Sequence, residues 1–325
     1  DPQPGRLDLA GFVLGTGGIF CLVFASISGE YRGYGTWWIV GLFAVGGLCL
    51  AGFVRVESRS RSPMLDPRYF RPPIVRTALF AAFAVYFAVF AILFLTALYL
   101  DVALHYSGWE LAAMFAPMAL AIVVGGLVAG PWVGRRGSRH PMVVGCALAA
   151  AGIALTRVEI TRLPLPALGR TDTPASQFTV LAAALALAGL GFGITVVPMT
   201  SAVLSHIPAQ HSGIAASATN TARQLGAVVG VAALGAVVNA RLASEVDQTF
   251  RGPLLGGARN SVMKILETGG SAGSFSLNDI PANFVKAFLD GLAVSLLAAI
   301  ALIGLAGVVA LIVREPPPLE EADLD

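Results

Sequence analysis

The chain has 325 residues, of which 56% are hydrophobic and only 12% charged, and its mean hydropathy is +0.77. A soluble globular domain carries about 25% charge, so this composition excludes one and indicates a polytopic membrane protein. The net charge of +2 is too small to point to a nucleic-acid partner, and the basic residues cluster between apolar runs, where they control topology.

The opening Asp1-Pro2-Gln3-Pro4 has no Met and no charged region ahead of a short apolar segment, so it is not a signal peptide. It reads as a loop entering a first span, as if the sequence starts partway through a longer protein. A span needs about 20 apolar residues to cross roughly 30 Å of hydrocarbon. Eight segments qualify: Leu9–Ile27, Trp37–Val54, Thr77–Leu100, Leu111–Val133, Met142–Thr156, Phe178–Leu204, Gly213–Val238 and Gly291–Val313. All are expected to be helices, because lipid offers no partner for exposed backbone groups and the runs are too long for barrel strands. The fifth is the shortest and is expected to borrow residues from both flanks, with Arg157 snorkelling to the interface. Cys21, Cys49 and Cys146 all fall inside apolar runs as small hydrophobes, and imply neither a disulfide framework nor a metal site.

Basic residues in the short connections set the orientation. The second-to-third and fourth-to-fifth connections carry Arg55, Arg59, Arg61, Arg68, Arg71, Arg76 and then Arg135, Arg136 and Arg139. That is nine, against four (Arg32, Arg157, Arg162 and Arg170) on the opposite side, so the Arg-rich loops and both chain ends are expected to be cytoplasmic. Only Lys264 and Lys286 are lysines among the 21 basic residues, a bias that suggests a GC-rich bacterial genome and hence a bacterial inner membrane. The linker 57–76 alternates Arg with Pro63, Pro67, Pro72 and Pro73, which suits either anionic headgroups or docking onto another part of the protein. A long external segment is expected from Asn239 to Asp290, with a flexible Gly/Ser tether at Thr268–Ser276 and an interfacial helix around Phe284, Phe288 and Leu289. The acidic tail 315–325 is expected to be disordered.

Three segments carry chemistry. In the seventh, Asn220, Arg223 and Gln224 stand at i, i+3 and i+4 on one side of a helix, with Ser217 extending the strip and Gly226 and Gly230 continuing it as a groove. Arg223 is ten residues from Gly213, about 15 Å into the span and close to the midplane. A guanidinium there is costly and is normally kept for a purpose. Two readings stand: a polar clasp between helices, or a cavity-lining cation neutralised by a substrate or a facing carboxylate. The sixth segment contains Gly189, Gly191 and Gly193, then Pro198. This is not a dinucleotide fingerprint, because the spacing is wrong and no strand precedes it. Alternate glycines thin the helix on different faces, which serves packing or a bending element. Between the fourth and fifth spans runs Gly130-Pro-Trp-Val-Gly-Arg-Arg-Gly-Ser-Arg-His140, whose arginines can bond helix C-termini and hold spans in register.

Catalytic and metal constellations are absent. His105, His140, His206 and His211 fall at span ends or loops without ligand spacing, and Ser26-Ile-Ser-Gly29 has no histidine in another span to act as a base. Asp8, Asp101, Glu110 and Asp290 lie at span edges, where helix capping explains them. No buried acid is available to carry a proton.

Taken together, these motifs resemble the C-terminal part of a 14-span drug:proton antiporter of the major facilitator superfamily, the EmrB/QacA type. The resemblance runs almost end to end. It rests on Asp8-x-x-Gly11, Gly35-Thr-Trp37, Pro63-Met-Leu-Asp-Pro-Arg-Tyr-Phe70, Gly189-x-Gly-x-Gly193 with Pro198, and above all Gly213-Ile-Ala-Ala-Ser-Ala-Thr-Asn-Thr-Ala-Arg-Gln-Leu-Gly226 with Gly230-Val-Ala. The loop matches the superfamily's cytoplasmic Gly-x-x-x-Asp-Arg-x-Gly-Arg-Arg motif at Gly130, Arg135, Gly137 and Arg139, while Gly134 replaces the acid, which favours helix clamping over charge relay. The resemblance implies two intermediate helices in residues 1–56, the linker 57–76 and a six-helix bundle over 77–314, with an external loop at 239–282. It implies no cofactor, a proton gradient as driving force, and as partners the lipid bilayer, a small-molecule substrate and a six-span N-terminal bundle not contained in this chain. The expected function is proton-coupled efflux of amphipathic molecules or drugs by rocking bundles. Asn220, Arg223 and Gln224 are placed along the cavity, and Met199, Tyr86 and Phe90 are added by position as apolar contacts. A metabolite uptake carrier, a non-transporting membrane fragment or assembly partner, and an intramembrane enzyme are the rivals.

Overall fold

Eight long helices account for the eight apolar segments in the computed structural model, which describes residues 9–32, 36–57, 67–102, 104, 106–162, 175–208, 212–249 and 282–313. They are α1 (Leu9–Arg32), α2 (Trp37–Glu57), α3 (Pro73–Val102), α4 (Gly108–Arg136), α5 (Arg139–Arg162), α6 (Ala175–Leu204), α7 (Ser212–Thr249) and α8 (Ala282–Ile312). A 3₁₀ turn, Pro67–Phe70, precedes α3 and packs Tyr69 and Phe70 against the core. No strand occurs among the described residues. The protein is an all-α membrane protein.

α1 and α2 pair with each other, and α1 also touches α7. In the rest, α6 lies between α4 and α5, α5 packs on α8, and α3 packs on α7 and α8. Hydrophobic burial cannot drive helices together in lipid, so close backbone approach must do it, and small residues supply that approach. A Cβ on Gly189 would sit 2.4 Å from the Met118 carbonyl oxygen, and one on Gly193 would sit 2.1 Å from that of Ile122, so this face of α6 presses on α4. Gly191 faces the other way, where a Cβ would fall 2.2 Å from the Ala149 amide of α5. Gly145 and Gly152 make the reciprocal approach from α5. Thr195 and Thr156 lie at the same contacts and donate to the Gly191 and Gly152 carbonyls one turn back, which hides their hydroxyls from lipid.

Several boundaries differ from the sequence expectation. The short fifth span does borrow from both flanks, as a helix of 24 residues from Arg139 to Arg162, but Arg157 within it is tied to a neighbour, donating from Nε to the Ala293 carbonyl of α8 at 3.1 Å. At the other end of the same pair, Arg139 donates to the Leu311 carbonyl. Donors and acceptors are each 18 residues apart, so two guanidiniums fasten antiparallel helices about 27 Å apart along their length. Each such charge-assisted bond contributes about 1–3 kcal/mol. Arg157→Ala is expected to lower the thermal unfolding midpoint in detergent by a few degrees, whereas Arg76→Ala, exposed on α3, leaves it unchanged. An equal midpoint for both variants would refute the fastening.

The external segment expected from Asn239 begins as helix, since α7 continues to Thr249. The expected interfacial helix is instead the first part of α8, in which Phe288 and Leu289 are buried against the bundle rather than laid on a membrane surface. Asp290 is consequently inside α8 and not at its cap. Glu110 does cap: its carboxylate accepts from both the Ser107 amide and the Ser107 hydroxyl at 2.7 Å, at the start of α4. The Gly/Ser tether, the acidic tail, linker residues 58–66, Asp8, His105, His211 and the side chain of Phe284 lie outside the described residues.

Candidate functional site

The polar strip of α7 is positioned by two glycines. A Cβ at Gly226 would lie 2.2 Å from the Phe83 carbonyl oxygen, and one at Gly230 2.8 Å from that of Phe87, so α7 rests directly on the α3 backbone. The groove expected at Gly226 and Gly230 is therefore filled by α3 and is not open. This contact brings Arg223, one turn before Gly226, over the ring of Tyr86, with the guanidinium carbon 5.4 Å from the ring centroid. A cation at that distance is attracted by the ring's negative face, by roughly 0.5–2 kcal/mol depending on desolvation.

α6 provides the third side. Arg223 Nη2 donates to Thr200 Oγ1 at 2.6 Å, and Thr200 passes its own proton to the Val196 carbonyl at 2.9 Å. Thr200 stands four residues before the end of α6, so the long Arg side chain, rooted about 16 Å along α7 from Ser212, is held by the last turns of its neighbour. Arg223 Nε is buried without a hydrogen-bond partner. Among the described residues no carboxylate forms an ion pair with the guanidinium. Arg223 is thus held by a neutral oxygen and an aromatic ring, and its charge is unanswered within that set.

Of the residues expected along a cavity, Asn220 and Gln224 are exposed, Arg223 and Tyr86 half-buried, and Phe90, one turn beyond Tyr86, is 40% exposed. Met199 is the exception: it is fully buried in the core and opens onto nothing, so it is not a lining residue in this conformation. Pro198 beside it is buried in an unbroken α6. Thr200 was missed by the sequence reading. Its signal was present, as a hydroxyl two residues after Pro198, but the same segment also carries Thr179, Thr195 and Ser201, and a threonine in a membrane helix usually satisfies itself against its own backbone.

In the loop between α4 and α5, Gly137 adopts φ 72° and its amide caps the Val133 carbonyl at 2.9 Å, a left-handed turn that favours glycine. Gly130 and Arg135 are exposed, and Arg139 opens α5 bonded to α8 as described. The three cysteines are free thiols, and no group of three His, Cys, Asp or Glu among the described residues is placed to hold a metal ion. This arrangement can bind and discriminate by charge.

A model of the Major Facilitator Superfamily matches residues 7–231. The chain is 32% identical over 233 residues to a puromycin resistance protein of Streptomyces alboniger, covering 71% of this chain and 44% of that protein. It is 28% identical over 336 residues to a tetracenomycin C resistance and export protein of Streptomyces glaucescens, covering 98% of this chain and 59% of that one. It is 28% identical over 247 residues to a multidrug efflux pump of Mycolicibacterium smegmatis, covering 76% and 46% respectively. The chain spans about half the length of the curated relatives it matches.

Proposed function

Because the chain belongs to the Major Facilitator Superfamily, we propose that it forms the C-terminal eight spans of a 14-span, proton-coupled drug exporter in a bacterial inner membrane. Relatives named for antibiotic resistance, export and multidrug efflux support the direction and the substrate class. In this reading α1 and α2 are the intermediate pair, α3 to α8 form the C-terminal bundle, and the Arg-rich loops and both ends of the chain lie in the cytoplasm. The proton-carrying acid belongs to an N-terminal bundle that rocks against this one.

The observation that carries the proposal is the charge of Arg223, unanswered among the described residues, beside an exposed polar face within the candidate span Ser212–Val238. Charge at that depth is retained where it meets a substrate or a water-filled passage. The Thr200 bond favours a second reading, in which Arg223 is only a clasp joining α6 to α7.

Coupling is tested with the full-length gene product in everted vesicles under an imposed pH gradient. Drug uptake into the vesicles is expected to collapse at least tenfold on adding an uncoupler, and uptake indifferent to the uncoupler would rule out proton drive.

A further inference from the structure

The exposed faces of the helices differ in kind. On α4 the exposed side chains include Leu120, Val123, Leu127 and Val128, the apolar surface that lipid requires. From Ser212 to Gln224 on α7 they are Ser212, Gly213, Ala216, Ser217, Asn220 and Gln224. Of these, Gly213, Ala216, Ser217, Asn220 and Gln224 form a stripe at i, i+3, i+4, i+7 and i+11, and the first large apolar side chain exposed on this helix is Val229, beyond them. Two carboxamides facing hydrocarbon would be costly, so this stripe faces water or a polar partner.

Its inner edge is the guanidinium of Arg223, which can only donate. The nearest hydroxyl has already spent its proton on Val196, so Thr200 offers an oxygen to the arginine and no donor to anything else. Asn220 and Gln224 add amide donors on the exposed side. Tyr86 lies under the cation and Phe90 presents a second, 40% exposed ring one turn further along α3. A cationic ligand group here would be repelled by Arg223, with no described carboxylate close enough to compensate.

Resting on the transport reading above, we propose that this wall binds the anionic or oxygen-acceptor pole of a planar aromatic substrate. A carboxylate or phenolate oxygen meets the free N–H groups of Arg223, and the ring system lies along Phe90 and Tyr86. Charge-assisted bonds of this type are about twice as strong as neutral ones and fix orientation.

Two dyes on the same xanthene frame supply the probe: fluorescein, anionic at neutral pH, and rhodamine 123, cationic. Binding to the purified full-length protein is read by fluorescence anisotropy. Fluorescein is expected to bind at least tenfold more tightly than rhodamine 123. Arg223→Gln should weaken fluorescein at least tenfold and leave rhodamine 123 unchanged or tighter, and Arg223→Lys should restore most of the fluorescein affinity. Preference for rhodamine 123 by the wild type, or an equal loss of both dyes in Arg223→Gln, overturns the proposal. Gradient-driven transport of rhodamine 123 alone would overturn it while leaving the exporter reading standing. If neither dye binds and no drug is moved by a pH gradient, both readings fall together.

Discussion

Arg223→Ala in the full-length protein reduces gradient-driven efflux of its native substrates at least tenfold, while the variant accumulates in the membrane at wild-type abundance. The two halves of this expectation come from the same geometry. Folding depends little on the side chain, because its recorded contacts are one hydrogen bond to Thr200 and one ring face of Tyr86, together worth about 1–4 kcal/mol. Removing the guanidinium also removes the cost of keeping an uncompensated charge away from water, which offsets part of that loss. Thr200 keeps its bond to Val196 in the variant, so no hydroxyl is orphaned. Transport, by contrast, loses the cation at the inner edge of the exposed polar stripe of α7. Growth in drug and quantitative membrane immunoblotting check the two halves separately. Full resistance in the variant would mean that Arg223 is a clasp, and loss of membrane protein would mean that the clasp is structural.

Gly191→Val is expected to prevent recovery of monodisperse protein altogether. The first atom added would lie 2.2 Å from the Ala149 amide nitrogen and 2.6 Å from the Gly145 carbonyl oxygen, both backbone atoms that no rotamer change can move aside. Overpacking in a well-packed interior typically costs 1–3 kcal/mol, and a backbone-against-backbone collision belongs at or beyond the top of that range. The rest of the α5–α6 contact would be pried open with it, exposing the Thr195 and Thr156 hydroxyls now folded onto their own helices. Gly304→Val is the control, since a Cβ there meets nothing within 4 Å. Size-exclusion profiles of the two variants in detergent decide the matter. Equal, monodisperse recovery would show that α5 and α6 are not held by that approach.

Much of this architecture is legible in the residues because lipid leaves few alternatives. A long apolar run has to become a helix, and eight such runs became eight helices. What hydropathy does not register is a polar residue that finds a partner on a neighbouring helix. Arg157 marks the end of the apolar run in the fifth span, and within α5, which runs on to Arg162, it is bonded to the Ala293 carbonyl of α8. Nor does hydropathy see a helix that outlasts the membrane, as α7 does past Asn239. At the candidate site, periodicity sets Asn220, Arg223 and Gln224 on one side of a helix, but it cannot say what lies opposite. The glycines that looked like a continuing groove are where the α3 backbone enters, and Met199, chosen by position, faces inward. Thr200 could not be told from the other hydroxyls of its segment for the complementary reason, because its role exists only once α6 and α7 are side by side.

The length of α7 has a mechanical consequence. Its 38 residues extend about 57 Å, well over the roughly 30 Å of hydrocarbon. With Phe83 and Phe87 acting as the fulcrum at Gly226 and Gly230, the arm from Gly230 to Thr249 is about 29 Å long. A pivot of a few degrees at that bearing would swing the far tip by a couple of ångströms. Ser295 of α8 donates to the Leu234 carbonyl on that arm and Gly291 packs on Val238, so the arm can swing only together with α8.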